Sequence, residues 1–183
     1  MVTPPGRDVP IEGVVLLELA AHLDERGSVT ETFRRAWIPG VSEMVQANVS
    51  RSRAGVLRGL HAHREQADYW VFLSGRAFVG LFDLRGGSAT ADRKAELRID
   101  GDRSPQGLYV PPAVAHGFYA ETDIVLQYLV DRPYSGDDEF GLAWDDPDVA
   151  IGWPDRHPVL SERDLRNPGL AELRSSMGPP ITS

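Results

Sequence analysis

His61, His63 and His116, together with Arg58 and Tyr128, are the side chains whose types and spacing could do acid–base chemistry. Arg58 and His61 share one short run, Val56-Leu57-Arg58-Gly59-Leu60-His61. His63 follows two residues on, so in an extended strand it shares a face with His61. His116, within Ala115-His116-Gly117-Phe118, and Tyr128 lie on later segments of β type. An imidazole with a carboxylate partner is a general base near neutral pH. A tyrosine on the opposite side can supply a proton. An arginine is a fixed cation for a phosphate or a developing oxyanion. Base, acid and cation together suit removal of a proton beside a carbonyl, followed by its return. The plainer alternative is a β-barrel whose histidines are surface groups and hydrogen-bonded core groups.

A second constellation competes. His61-Ala62-His63, followed by Asp68 and Gly75, has the spacing of the first metal motif of the cupin superfamily, with Asp68 where that motif carries Glu. His116 would supply a later ligand. Imidazoles and a carboxylate suit Zn, Fe, Ni or Mn. The second motif is incomplete, because Pro111-Pro112-Ala113-Val114-Ala115-His116 lacks its glycine. Strand alternation alone would also place these side chains on one face.

The elements that must position these groups are short strands. From Val14 to Asp131 the chain alternates β-type segments with turns. Gln66–Leu73, Arg76–Leu84, Lys94–Ile99 and Ile124–Val130 read as strands, and Arg85-Gly86-Gly87-Ser88 reads as a turn. Strands at this spacing imply a sandwich or barrel. Residues 1–12, rich in Pro and Gly, read as a loose arm or edge segment. Ser161, followed by Glu162, Arg163 and Asp164, reads as a helix N-cap and first turn. Leu170–Met177 reads as a second short helix. The expectation is one all-β domain over residues 1–183 with a small helical tail from residue 161.

The chain has 183 residues, enough for one core. Its net charge of −8 gives a surface that repels nucleic acid and anionic membranes, so neither is an expected partner. With no cysteine, disulfide and thiolate chemistry are excluded. The N-terminus has no apolar signal region and no stretch is long enough to span a bilayer. The expected location is the cytoplasm.

Taken in order, several motifs resemble the dTDP-4-dehydrorhamnose 3,5-epimerase family of cupin-type nucleotide-sugar epimerases. They are Asp24-Glu25-Arg26-Gly27, Gln46-Ala47-Asn48-Val49-Ser50, Val56-Leu57-Arg58-Gly59-Leu60-His61, Val110-Pro111, Ala115-His116-Gly117-Phe118, Trp144-Asp145-Asp146-Pro147, Trp153-Pro154 and Leu160-Ser161-Glu162-Arg163-Asp164. The resemblance runs from about Val14 to Leu173. It implies an antiparallel cupin jelly roll. It also implies epimerisation at C3 and C5 of a dTDP-4-keto-6-deoxyhexose through an enolate, with no metal or redox cofactor. By the resemblance His61 is the base, Asp164 orients it, and Tyr128 is the acid. Arg58 and His116 line the sugar and its C4 oxygen. Arg26, Glu31, Gln46 and Asn48 contact nucleotide or sugar, some across a homodimer. Tyr134 and Glu139 lie near thymine and sugar. Read alone, Arg26 could be a turn residue, Gln46 and Asn48 strand-face polar groups, Tyr128 a core residue and Asp164 a first-turn carboxylate.

The chain departs from the family pattern at three places. His63 stands where the family has Gln, Asp68 where it has Lys, and Val29 where it has a Phe that walls the base. A carboxylate in place of a cation opposes an enolate, since one lost stabilising contact is worth about 3–4 kcal/mol of barrier. One reading is that Asp68 turns away or pairs with Arg58 or Arg64, and only C3 or only C5 is epimerised. Another is that His63 and Asp68 build a metal site, as in a metal-dependent cupin enzyme. A third is a non-catalytic cupin that binds a nucleotide sugar.

Overall fold

The computed structural model describes residues 4–133, 135 and 138–177. Its strands in chain order are β1 (Gly6–Arg7), β2 (Val15–Glu18), β3 (Ala21–Asp24), β4 (Gly27–Thr30), β5 (Gln46–Ser52), β6 (Leu57–His63) and β7 (Asp68–Ser74). They continue as β8 (Arg76–Asp83), β9 (Lys94–Asp100), β10 (Gln106–Val110), β11 (Val114–Ala120), β12 (Ile124–Val130) and β13 (Glu139–Gly141). One α-helix, α1 (Leu170–Met177), follows. Two antiparallel sheets face each other in a jelly roll. One has the order β1-β2-β10-β7-β12-β5 and the other β13-β6-β11-β8-β9. β3 and β4 form a separate hairpin.

Alternation decides what lies between the sheets. On β7, Trp70 and Phe72 point inward and join Leu81, Leu108, Val114, Phe118 and Leu126 in the central core. Tyr69 and Val71 point outward, where Trp37, Ile38 and Val41 cover them. On the other sheet Leu60, Ala62, Phe82 and Ala115 point outward, under Leu142, Val149, Leu170 and Leu173. Both sheets are thus covered on their outer faces, which is why β7, β8 and β11 read as near-continuous apolar runs. The C-terminal segment holds this cover in place. The Asp146 carboxylate accepts from the Leu170 amide at 2.8 Å and from the Asp148 amide at 2.9 Å.

Several boundaries differ from the sequence reading for local reasons. β7 begins at Asp68, not Gln66, because the Gln66 and Ala67 amides are held by the Asp138 and Asp131 carboxylates. The Ser161 segment forms a single 3-10 turn, Asp164–Arg166, and not an α-helix. Ser161 does accept from the Asp164 amide at 3.1 Å. Asn167 is extended before Pro168, as expected of a residue preceding proline, and the turn stops there. Within the expected N-terminal arm, Gly6 and Arg7 pair with Leu17 and Leu16 at the sheet edge.

Candidate active site

The inward positions at one end of the two sheets are polar, and there a cavity of about 240 Å³ opens. β6 contributes Arg58, His61 and His63, and β11 contributes His116. From the facing sheet come Asp68 and Trp70 on β7, Tyr128 on β12 and Ser50 on β5.

One irregularity makes the set possible. His116 pairs with His61 and Phe118 pairs with Arg58, so β6 carries one residue more than β11 over this interval. Strict alternation would put Arg58 on the outward side with Leu60. The bulge turns it inward beside His61. Gly59 provides the needed backbone at φ +114°, in the left-handed region. A Cβ there would stand 2.7 Å from both Gly117 Cα and the His116 carbonyl oxygen.

His61 Nε2 lies 2.7 Å from Asp164 Oδ1. Asp164 is 4 % exposed. Burial raises its carboxyl pKa. The His61 hydrogen bond and charge, with Ser161 and the Gly59 backbone, more than offset this and hold it below 3.8. With Nε2–H donated to Asp164, the neutral ring carries its lone pair on Nδ1. That nitrogen is 4.0 Å from Glu139 Oε1. Glu139 is held by Arg163 at 2.8 Å. Burial raises the Glu139 carboxyl, but Arg163 and His61 bring it below its ordinary value.

Tyr128 stands on the opposite sheet. Burial, then the Asp68 charge, raises its hydroxyl above 10, against a lowering influence from Arg58. The phenol is therefore protonated at neutral pH. Arg58 donates through Nε to Ser52 Oγ at 2.8 Å and reaches the Arg51 carbonyl at 3.4 Å.

Asp68 does not turn away from the cavity. Its carboxylate accepts from Gln66 Nε2 at 2.7 Å and Trp70 Nε1 at 3.1 Å, and Oδ2 lies 3.7 Å from His116 Nε2. His116 donates Nδ1–H to the Val114 carbonyl at 2.9 Å. Burial drives its imidazole down to about 4, with His63 and His61 acting the same way and Asp68 opposing.

The other expected site residues are not all gathered here. Gln46 and Asn48 are hydrogen-bonded to each other at 3.0 Å, on the same face of β5 as cavity-lining Ser50. Arg26 is at the β3–β4 hairpin tip, paired with Asp24 at 2.6 Å, and Glu31 is paired with Arg34 at 2.7 Å. Neither lines this chain's cavity. Val29 is 72 % exposed on β4 and forms no wall beside His61 within the chain. Tyr134 lies outside the described residues. Arg163, Trp70 and Ser52 were not singled out from sequence. Arg163 had a signal in its place beside Asp164, whereas Ser52 and Trp70 carry none.

A family model described as dTDP-4-dehydrorhamnose 3,5-epimerase matches residues 8–172. The chain belongs to this family. The dTDP-4-dehydrorhamnose 3,5-epimerase of Streptomyces griseus is 37% identical over 179 residues, covering 91% of this chain and 87% of that protein. An epimerase structure from Mycobacterium tuberculosis aligns with TM-score 0.89 at 32% identity, covering 96% of this chain and 93% of the other. A 3'-monoepimerase from Streptomyces bikiniensis, solved with dTDP-quinovose, aligns with TM-score 0.83 at 33% identity, covering 91% and 88%. Like the other members of this epimerase family, the protein is an isomerase with an antiparallel β fold. Among the described residues no helix is long and apolar enough to cross a membrane.

Proposed function

We propose that this protein epimerises C3, C5 or both in a dTDP-4-keto-6-deoxyhexose, in the making of a deoxysugar. The observation that carries the reading is the 2.7 Å His61–Asp164 contact at a cavity whose opposite wall holds Tyr128. The 4-keto group acidifies the C–H bonds on both neighbouring carbons. His61 Nδ1 takes one of these protons, and Asp164 stabilises the imidazolium that results. The electron pair moves onto the C4 oxygen as an enolate, beside Arg58 and His116. Tyr128 then delivers a proton to the opposite face of the same carbon, inverting it. His61 then gives its proton to solvent and the Tyr128 phenolate takes one up, which resets both groups. The net change is neither oxidation nor reduction, so no redox cofactor is required.

The outer residues fit a dimer of one-domain cytoplasmic subunits. Leu23 and Val29, on opposite faces of the β3–β4 hairpin, are 82 % and 72 % exposed, apolar side chains suited to burial where the hairpin reaches a second copy. Arg26 at its tip would then reach the partner's nucleotide pyrophosphate, with Glu31, Gln46 and Asn48 completing the mouth. By the family resemblance Tyr134 and Glu139 serve thymine and sugar, and Glu139 lines the cavity.

Incubation with dTDP-4-keto-6-deoxyglucose in D₂O, with NMR detection of carbon-bound deuterium, tests the reading. Label at C3 and C5 means double epimerisation, and label at one carbon means a mono-epimerase. No label, with binding of the nucleotide sugar demonstrated, sinks the reading for this substrate.

A further inference from the structure

We propose that His63, Asp68 and His116 bind a divalent transition-metal ion whose open coordination positions face the sugar C4 oxygen. One ligand atom from each of the three lies within 4.8 Å of the other two. All three side chains are buried, at 7 %, 5 % and 4 % exposure. They come from three strands, β6, β7 and β11, in both sheets, so the set is held by the barrel and not by a loop. Ligand atoms around an ion with bonds of about 2.0–2.2 Å stand roughly 3–3.5 Å apart in a tetrahedral or facial arrangement. Small side-chain rotations close the difference.

The surroundings fix the ligands as a metal site does. His116 donates Nδ1–H to the Val114 carbonyl, which leaves the Nε2 lone pair facing Asp68 Oδ2 at 3.7 Å. A hydrogen bond from the far ring nitrogen to a carbonyl is the usual way a ligating imidazole is oriented. The donors that hold the Asp68 carboxylate, Gln66 and Trp70, are neutral. They aim it without matching its charge, and burial of an unmatched carboxylate is costly. Two imidazoles and one carboxylate carry a charge of about −1, which a divalent ion turns into about +1. Three protein ligands leave positions free for a substrate oxygen, as in catalytic zinc sites. The ion restores, from Asp68, the positive charge that an enolate oxygen requires and that a carboxylate alone would oppose. The binding claim stands on these three side chains. The electrophilic role rests on the epimerase reading.

Metal-depleted full-length protein is titrated with Co²⁺ alone, followed by visible absorption and calorimetry. One equivalent should bind with d–d bands. His63→Gln and Asp68→Asn should each weaken binding by more than ~100-fold, since even outer partners of metal ligands cost 10–100-fold. His157→Gln, on the exposed surface, should leave it unchanged. Thermal unfolding of each variant separates lost binding from lost fold. No binding at 1 mM Co²⁺ (about 10³-fold above a micromolar Kd, a difference of about 4 kcal/mol) overturns the site, as does binding that survives both folded substitutions. Deuterium incorporation into the nucleotide sugar should fall on metal removal and return with Co²⁺. Incorporation at an unchanged rate without metal overturns the electrophilic role and leaves the epimerase standing. No incorporation in either state, with the Co²⁺ bands present, overturns the epimerase reading and the electrophilic role with it, while the ion site remains.

Discussion

His61 Nε2 and Asp164 Oδ1 lie 2.7 Å apart although 103 residues separate them in the chain. β6 supplies the imidazole and a 3-10 turn after the second sheet supplies the carboxylate. The contact fixes the tautomer, and with it the nitrogen that can take a proton. His61→Ala should abolish turnover while the fold persists, because His61 is 25 % exposed at the cavity and not a core residue. Asp164→Asn keeps the shape but permits the wrong tautomer, and kcat should fall roughly 10³–10⁴-fold. Steady-state kinetics with circular dichroism on both variants checks this. Unchanged turnover in His61→Ala would remove the base assignment.

Tyr128 and His61 act at opposite faces, so their loss should differ. Tyr128→Phe removes the proton donor and leaves the base. Epimerised product should fall about 10²–10⁴-fold. Exchange of the substrate C–H with D₂O should persist with configuration retained, because His61 can return a proton to the face it left. NMR of recovered substrate measures this directly. Loss of exchange and of product in equal measure would instead mean that Tyr128 does not act as the separate acid.

The Asp164 carboxyl lies below its ordinary value in the folded protein. A depressed carboxylate contributes stability above its unfolded pKa, about 3.9. That contribution is lost as pH falls through the lower folded value. The melting temperature should therefore drop below about pH 4. Asp164→Asn should flatten this acid limb, with little slope added or removed at pH 5–8. Thermal melts across pH 3–6 for the two proteins give the comparison. Parallel acid limbs would show that Asp164 is not held by His61 in solution.

Gly59 sits where the β6 bulge crosses Gly117. Gly59→Ala puts a Cβ 2.7 Å from two backbone atoms that have no freedom to rotate away, at φ +114°. The expected cost is about 2–4 kcal/mol, from strain at a special backbone position together with overpacking. Activity should fall with it, since the bulge aims Arg58 and sets the His61–His116 register. A denaturant midpoint within a few tenths of a molar of the parent would show that the bulge has another geometry.

The sequence pattern carried the strands well where alternation is strong. Ile124–Val130 has the same bounds in the structure, where it pairs along its whole length with β5. It also carried His61 and His63 as neighbours, because period-two alternation on β6 puts them on one face. Asp68, on β7 of the facing sheet, and His116, on β11, were joined to them by the spacing of the cupin metal motif. It could not show the bulge, which exists only in the pairing of β6 with β11. Arg58 was legible as a cation in one short run with His61, but strict alternation would have turned it outward, and only the bulge brings it into the cavity. Arg163 carried only the signal of its place beside Asp164, and Ser52 and Trp70 carried none. Ser52 meets Arg58 only across β5 and β6, and Trp70 looks like an ordinary core residue until its indole is seen to donate to Asp68. The orientation of Asp68 was open too, because alternation does not say which neighbours its carboxylate will accept from. Its donors, Gln66 and Trp70, each two residues away, decide it.

Arg26 gives a prediction about the assembly. Its side chain is 83% exposed and bound to Asp24, and it is not among the groups lining its own chain's cavity. An exposed pair of this kind is screened by water and salt and adds little to stability, so Arg26→Ala should leave the melting temperature unchanged. If the hairpin reaches a second subunit, the same substitution removes a cation from that subunit's pyrophosphate. KM for the nucleotide sugar should then rise about tenfold or more, with kcat changed little, because the contact is equal in ground and transition states. A Leu23→Asp, Val29→Asp protein should sediment as a monomer and show the same rise in KM with Arg26 intact. A dimer by sedimentation whose KM is indifferent to Arg26→Ala would place the hairpin at some other surface.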